Sequence, residues 1–245
     1  MRAAITLAVT LFAFTATAAD WATEADALYS RRDEPGVSDR LKKMIEETLK
    51  EVPGSYAALW RLLRIAYWQS EPLTGEAKAA AGLACWDVAK RAVAASPNGS
   101  TTSPNGVEAL YWEAVCVGAR AEGLGMVHAL WDGLEQKFRA PLDAALDLNK
   151  TYQNCAPLRA LGRYWYQLPW PKYAGAKSIA ALEEAIKICP KDLRARVYLA
   201  ETLVKEGQAP RAQSLLEEVA KGDENYDPPE ARRAKALGKA VRARL

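Results

Sequence analysis

Four cysteines, Cys85, Cys116, Cys155 and Cys189, and a single histidine, His128, are the side chains of this 245-residue chain best equipped for nucleophilic, redox or metal chemistry. Their spacing argues against most of it. No C-x-x-C pair occurs, and one histidine does not complete a zinc ligand set. His128 lies between Gly125 and Trp131 with no matched nucleophile, and acid–base work needs a positioned partner. It reads as a partly exposed structural residue. The carboxylate pairs Glu46-Glu47, Glu183-Glu184 and Glu217-Glu218 are adjacent on helices. Adjacent helical residues point about 100° apart, so neither pair member joins the other on one substrate. Neither glycine fingerprint for phosphate binding is present. The chain reads as non-enzymatic, without metal or cofactor.

An even cysteine count in an exported chain invites disulfides, with three possible connectivities. Cys85 and Cys116 stand at similar distances on either side of the Pro97–Gly106 loop. Antiparallel neighbours that each rise about 1.5 Å per residue would bring them to the same height. Cys155 begins one helix and Cys189 ends its partner. The predicted pairs are Cys85–Cys116 and Cys155–Cys189; the alternative is four buried thiols acting as small hydrophobes.

The aromatic residues carry the remaining functional signal. Eight Trp and ten Tyr are many for a plain scaffold. Tyr111-Trp112 and Tyr164-Trp165-Tyr166 are runs on helices, where adjacent rings do not all face one core. Some must face a groove, solvent or a partner, and Trp60, Tyr67, Trp68 and Trp170 would extend such a groove. Tyr and Trp pair an apolar body with one polar tip, which suits ligand pockets and interfaces. Ordinary packing between helices is the competing reading for each ring.

The elements that would position these residues are helices. Leu193–Gly222 shows this best. Leu199, Ala200 and Leu203 stripe one helix, Gly207 interrupts, and Ala212, Leu216 and Val219 stripe the next. This is tetratricopeptide spacing, in which each helix pair buries its stripe against itself and its neighbours. Earlier pairs read the same way: Asp20–Pro53 with Leu28, Leu41, Ile45 and Leu49; Gly54–Pro97 with Leu59, Leu62, Leu63, Cys85 and Ala89; and Pro157–Pro190 with Leu158, Leu161, Leu182 and Ala185. Between the last two, Leu110, Ala114, Val117 and Ala121 stripe a helix. A second follows on Val127, Leu130, Trp131 and Leu134, and a third on Leu142, Ala145 and Leu146. Pro53, Pro97 and Pro190 each end a second helix. Their spacing exceeds the usual ~34-residue period, with insertions assigned to Gln69–Gly82 and Leu168–Ala176. The last helix, Glu230–Leu245, carries Ala234, Leu237, Val241 and Leu245 as a narrow stripe. Its many arginines and lysines read as the solvated outer face of a cap, or as a basic patch for an acidic partner. The predicted architecture is all-α: a tetratricopeptide-like α-solenoid of about five helix pairs with a C-terminal capping helix.

Half of the residues are hydrophobic, ample for a core. Residues 1–19 read as a signal peptide: Arg2, an apolar run from Ala3 to Phe14, then small residues ending at Ala18-Ala19. The run is shorter than the ~20 residues of a membrane-spanning helix. Without Arg2 the net charge falls from +3 to +2, too weak to argue for nucleic acid or an anionic membrane. Residues 20–245 then form the exported helical domain, periplasmic or secreted.

Several phrases carry a family likeness: Ala25-Asp26-Ala27-Leu28-Tyr29 with Arg32-Asp33, Leu59-Trp60-Arg61-Leu62, Ala109-Leu110-Tyr111-Trp112, and Leu158-Arg159-Ala160-Leu161-Gly162-Arg163-Tyr164 running to Leu168-Pro169. Together they resemble the TRAP-transporter-associated T component (TatT) family. Leu161-Gly162-Arg163-Tyr164-Trp165-Tyr166 is also similar to the regulator of microtubule dynamics family. The resemblance implies a helical accessory to solute uptake that associates with a periplasmic substrate-binding protein. It also implies a channel for a small hydrophobic or amphipathic ligand, and trimer formation. TatT members often carry a lipidated cysteine, and this chain has none after the cleavage region. A protein-interaction scaffold in envelope assembly is the alternative function.

Overall fold

The computed structural model describes residues 21–97 and 106–245. The leader expected over residues 1–19 lies outside the described residues, as do 98–105 of the predicted loop. Among the described residues every regular element is helical. Helix α1 covers residues 21–29. It is followed by α2 (Val37–Glu51), α3 (Tyr56–Ser70), α4 (Gly75–Ala94), α5 (Val107–Leu124), α6 (Met126–Trp131), α7 (Leu134–Asn149), α8 (Tyr152–Gln167), α9 (Gly175–Ile188), α10 (Leu193–Lys205), α11 (Ala209–Lys221) and α12 (Pro228–Arg242).

Each helix packs on the one before it, and α3, α5, α8, α10 and α12 also touch one another in succession. That second set of contacts makes the assembly an α-solenoid: the first helix of each pair forms an inner row. Local chemistry starts the helices. The side chains of Ser55, Asp192 and Asp227 accept from the N–H groups of Ala58, Ala195 and Glu230, satisfying donors that an α-helix leaves open.

The predicted stripes are buried at Leu41, Ile45 and Leu49, at Leu59, Leu62 and Leu63, and at Leu199, Ala200, Leu203, Ala212, Leu216 and Val219. Two readings are corrected. Val127 and Trp131 do not join Leu134 in one stripe: they are 62% and 87% exposed. Positive-φ glycines on either side, Gly125 and Gly133, cut α6 out as a short separate helix with a different heading. The extra residues assigned to Gln69–Gly82 take helical form from Gly75, lengthening α4 to 20 residues. On α12, Leu237 is exposed, as is Leu245 beyond its end, while Ala231, Ala234, Gly238 and Val241 are buried.

The apolar interior is divided. One cluster joins α1–α5 to part of α7 and α8, from Ala25 to Ala156. Another joins α8–α12, from Cys155 to Val241. The two halves are continuous along the chain through α7 and α8. Opposite, the polypeptide curls back until its last helix meets α3 and the segment after α1.

Candidate functional site

That meeting is ionic. Glu71, just after α3, accepts from Arg194 on α10 and Arg233 on α12. Arg32, after α1, is 2.9 Å from Asp227 at the start of α12. Arg232 holds Asp33 with a two-pronged contact at 2.6 and 3.0 Å. The guanidinium of Arg233 lies 3.1 Å from the Trp68 ring centre, and that of Arg32 lies 4.4 Å from the same ring. Burial would raise the Glu71 pKa, but Arg194 and then Arg233 hold it down to about 2. Arg233 is therefore spent at this seam, whereas Arg232, Lys239 and Arg242 stay exposed. Arg232 and Arg233 help close the solenoid into a ring, while Lys239 and Arg242 lie on the solvated outer face expected of a cap.

The ring surrounds a partly open cavity of about 120 Å³. Aromatic rings and charged groups line it together. From α3 and α5 come the rings of Tyr67, Trp68, Tyr111 and Trp112; from α8, α10 and α12 come Arg159, Arg163, Arg194, Tyr198, Asp227 and Glu230. Aromatic geometry fixes the first set. Trp112 lies 5.8 Å from Tyr67 and 4.9 Å edge-on to Tyr111, and its indole N–H donates to the Tyr152 hydroxyl at 3.0 Å. Ion pairs fix the second. Arg159 donates to Asp192 at 2.5 Å, Arg163 to Glu201 at 2.6 Å, and Arg194 reaches both Glu71 and Glu230.

Local backbone geometry at the start of α8 also shapes the cavity. Gln153, Asn154 and Cys155 have φ of 47°, 59° and 62°, so right-handed helix begins only afterwards. Left-handed L-residues cost about 1–2 kcal/mol each, and such strain persists only where surrounding structure enforces it. Here Cys155 is bonded to Cys189, with Cα atoms 5.9 Å apart. Gln153 and Asn154 face the cavity. The other disulfide, Cys85–Cys116, has Cα atoms 5.4 Å apart and ties α4 to α5.

Of the nine aromatic candidates, the structure brings Tyr67, Trp68, Tyr111, Trp112 and Tyr164 to the cavity wall. The other four lie elsewhere. Trp60 points to the outer side of α3, stacked against Arg61 and Arg64 at 4.2 and 5.0 Å. Both of those arginines donate to Asp26. Trp165 lies beside Lys177 at 4.3 Å, and Tyr166 beside Arg163 at 4.9 Å. Trp170 is 90% exposed on the loop between α8 and α9. The reason is helical rotation: of three successive rings on α8, only Tyr164 is on the inner face. His128 is exposed, 3.7 Å from Asp132.

Sequence reasoning missed the charged wall. Its signal was present: Arg159 with Arg163 and Arg194 with Tyr198 are i, i+4 pairs on the inner helices, and residues at that spacing share one face.

The family model described as Regulator of microtubule dynamics protein 1-3 matches residues 21–239. The chain belongs to that family. No curated protein matches. A solved structure, the crystal structure of MamA protein, is 18% identical over 83% of this chain and 92% of that chain, with a TM-score of 0.46. The helical phrase Leu161–Tyr166, which carried the likeness to the regulator family, lies on α8 at the cavity and supplies Arg163 and Tyr164 to its wall. Among the described residues, no helix is long and apolar enough to cross a membrane.

Proposed function

We propose that this protein is an exported, non-enzymatic binding protein, an accessory to solute uptake of the TRAP-associated type, that holds a small amphipathic ligand inside its ring. One observation carries the reading: aromatic rings and paired arginines and carboxylates together line one cavity. A ligand with an apolar body and a polar end satisfies both kinds of group at once, because pockets combine apolar contact area with a few placed polar groups. Closure of the ring by ion pairs supplies a way in, since a polar seam separates at lower cost than a packed apolar core.

Two of the eight tryptophans, Trp68 and Trp112, line the cavity, so intrinsic fluorescence reports occupancy. Titration with small aromatic and aliphatic acids gives saturable quenching, reduced in Trp112→Phe. A flat response from folded protein to every compound would overturn ligand binding. Mass analysis of the exported form finds its first residue at Asp20; a retained leader would overturn export.

The second reading is a scaffold for a protein partner such as a substrate-binding protein. Trp131 and Trp170, 87% and 90% exposed, favour it. They flank in sequence the ion pair between Glu135 and Lys172. Large exposed rings of this kind commonly anchor interfaces. Replacing both with Ser abolishes co-purification of a partner under this reading and leaves ligand quenching unchanged.

A further inference from the structure

We infer that the molecule is a hinged clamp: the lobe α8–α12 swings about α8, and the ionic seam opposite is the latch that holds it shut. This motion belongs to the free protein and does not depend on what the cavity holds.

The packing divides the ring unevenly. The lobes α1–α7 and α8–α12 meet at two places. At the first, α8 packs on α5 and α7, and Tyr152, Ala156 and Ala160 join the apolar cluster of the N-terminal lobe. At the second, Arg32, Asp33 and Glu71 meet Asp227, Arg232, Arg233 and Arg194. Among the described residues, no apolar cluster joins α1–α4 to α9–α12. Neither disulfide crosses the seam: Cys85–Cys116 ties α4 to α5 within one lobe, and Cys155–Cys189 ties α8 to the end of α9 within the other.

The two junctions differ in what separation costs. Parting an apolar interface exposes it to water at a cost that grows with its area. Parting ion pairs returns each charge to water, and the recovered hydration offsets much of the lost attraction. The side chains of Arg32 and Arg194 are only 2% and 4% exposed in the closed ring, so these two recover the most. The seam therefore opens while the α8 junction holds.

Backbone geometry marks the pivot. The chain passes between the lobes once, from α7 to α8, and there Gln153, Asn154 and Cys155 take up left-handed φ. Hinges are a few residues at element ends that absorb a change in φ and ψ.

Opening uncovers Trp68. The residue is 8% exposed in the closed ring, with the guanidinium groups of Arg32 and Arg233 over its indole. Arg233 leaves with the C-terminal lobe while Arg32 stays. The latch thereby gates access to the inner faces of α3 and α5, where Tyr67, Tyr111 and Trp112 line the cavity.

The test is single-molecule energy transfer between dyes on azido side chains placed at exposed Lys43 on α2 and Lys239 on α12, which leaves both disulfides intact. The wild type shows a main high-transfer population and a minor low-transfer one. Raising salt from about 0.05 M to about 1 M cuts the reach of charge to about 3 Å and enlarges the minor population about threefold or more. Glu71→Gln enlarges it at least about tenfold, because a buried pair that loses one partner strongly favours separation. Arg232→Gln, at the exposed end of the seam, enlarges it about twofold. Arg211→Gln, which removes an exposed pair with Glu183 away from the seam, leaves it unchanged. Helical circular dichroism stays constant throughout. Should Glu71→Gln fail to fold, the salt series and Arg232→Gln decide. A single high-transfer population that neither salt nor Arg232→Gln alters overturns the latch. So does a low-transfer population that grows only as helicity is lost, or an equal shift in Arg211→Gln. The quenching titration judges ligand binding separately, so either idea can fail alone.

Discussion

Replacing Glu71 with Gln tests ring closure most directly. Glu71 is the one carboxylate that accepts from both Arg194 and Arg233, and its side chain is 15% exposed. Its pKa drops from 4.5 to about 2 in the folded protein, where the two arginines outweigh burial. A group whose pKa is depressed by folding adds stability above its unfolded pKa and loses it as pH falls through the folded value. A shift of that size is worth about 3 kcal/mol at pH 7, at 1.36 kcal/mol per pKa unit. It disappears between about pH 4.5 and pH 2. Glu71→Gln keeps the volume and removes the charge. Arg194 retains Glu230, while Arg233 is left with the Trp68 carbonyl and ring. For a chain of this length, about 3 kcal/mol lowers the melting temperature by roughly 6–12 °C. The assay is thermal melting by circular dichroism at pH 7 and at half-unit steps down to pH 2, with Trp68 emission followed in parallel. The variant melts earlier at pH 7, and its deficit narrows as the wild type acidifies. Identical melting at pH 7, or an acid transition of the same depth in both proteins, refutes the argument that this seam holds the ring.

Three other outcomes follow from packing. Gly123→Ala forces a Cβ to 2.7 Å from the Ala79 Cα, where only backbone can yield, so α4 and α5 separate; stability falls by about 3 kcal/mol or more, read by urea unfolding. Leu182→Ala empties a fully buried position between α8 and α9 and costs about 2–5 kcal/mol in the same assay, whereas exposed Leu237→Ala on α12 costs under about 0.5 kcal/mol. Non-reducing peptide mapping recovers Cys85 linked to Cys116 and Cys155 linked to Cys189, and reduction destabilises by roughly 3–4 kcal/mol for each loop of 31 or 34 residues. Other linkages, or four free thiols, contradict the helix register described above.

The repeat architecture was legible because its causes are local. Leu41, Ile45 and Leu49 recur at helical spacing and are buried together, as do Leu199, Ala200 and Leu203. The cysteine pairs were legible for a related reason: antiparallel neighbours joined by a short connection rise equally. Less was legible where neighbours decide orientation. Tyr164, Trp165 and Tyr166 are equivalent in a sequence pattern, but only Tyr164 reaches the cavity. The exposed Leu237 and buried Gly238 on α12 reverse a simple hydrophobic stripe, because α12 packs on α10 and α11 through its small residues.

Periodicity alone settles that this chain makes paired helices and stacks them in order, since a helix face and its nearest neighbour depend on residues a few positions apart. It does not settle where the stack ends up. Each pair adds a small rotation, and only their sum brings α12 back to α1 and α3. The contacts that result join residues 123 to 199 positions apart: Arg194 with Glu71, Arg233 with Glu71, Arg32 with Asp227, and Arg232 with Asp33. No local pattern marks those partners. The tertiary structure turns one end of a basic helix into a clasp and gives the groove a second side, because Arg194 and Arg233 are largely desolvated and paired with Glu71 once the ring brings them together.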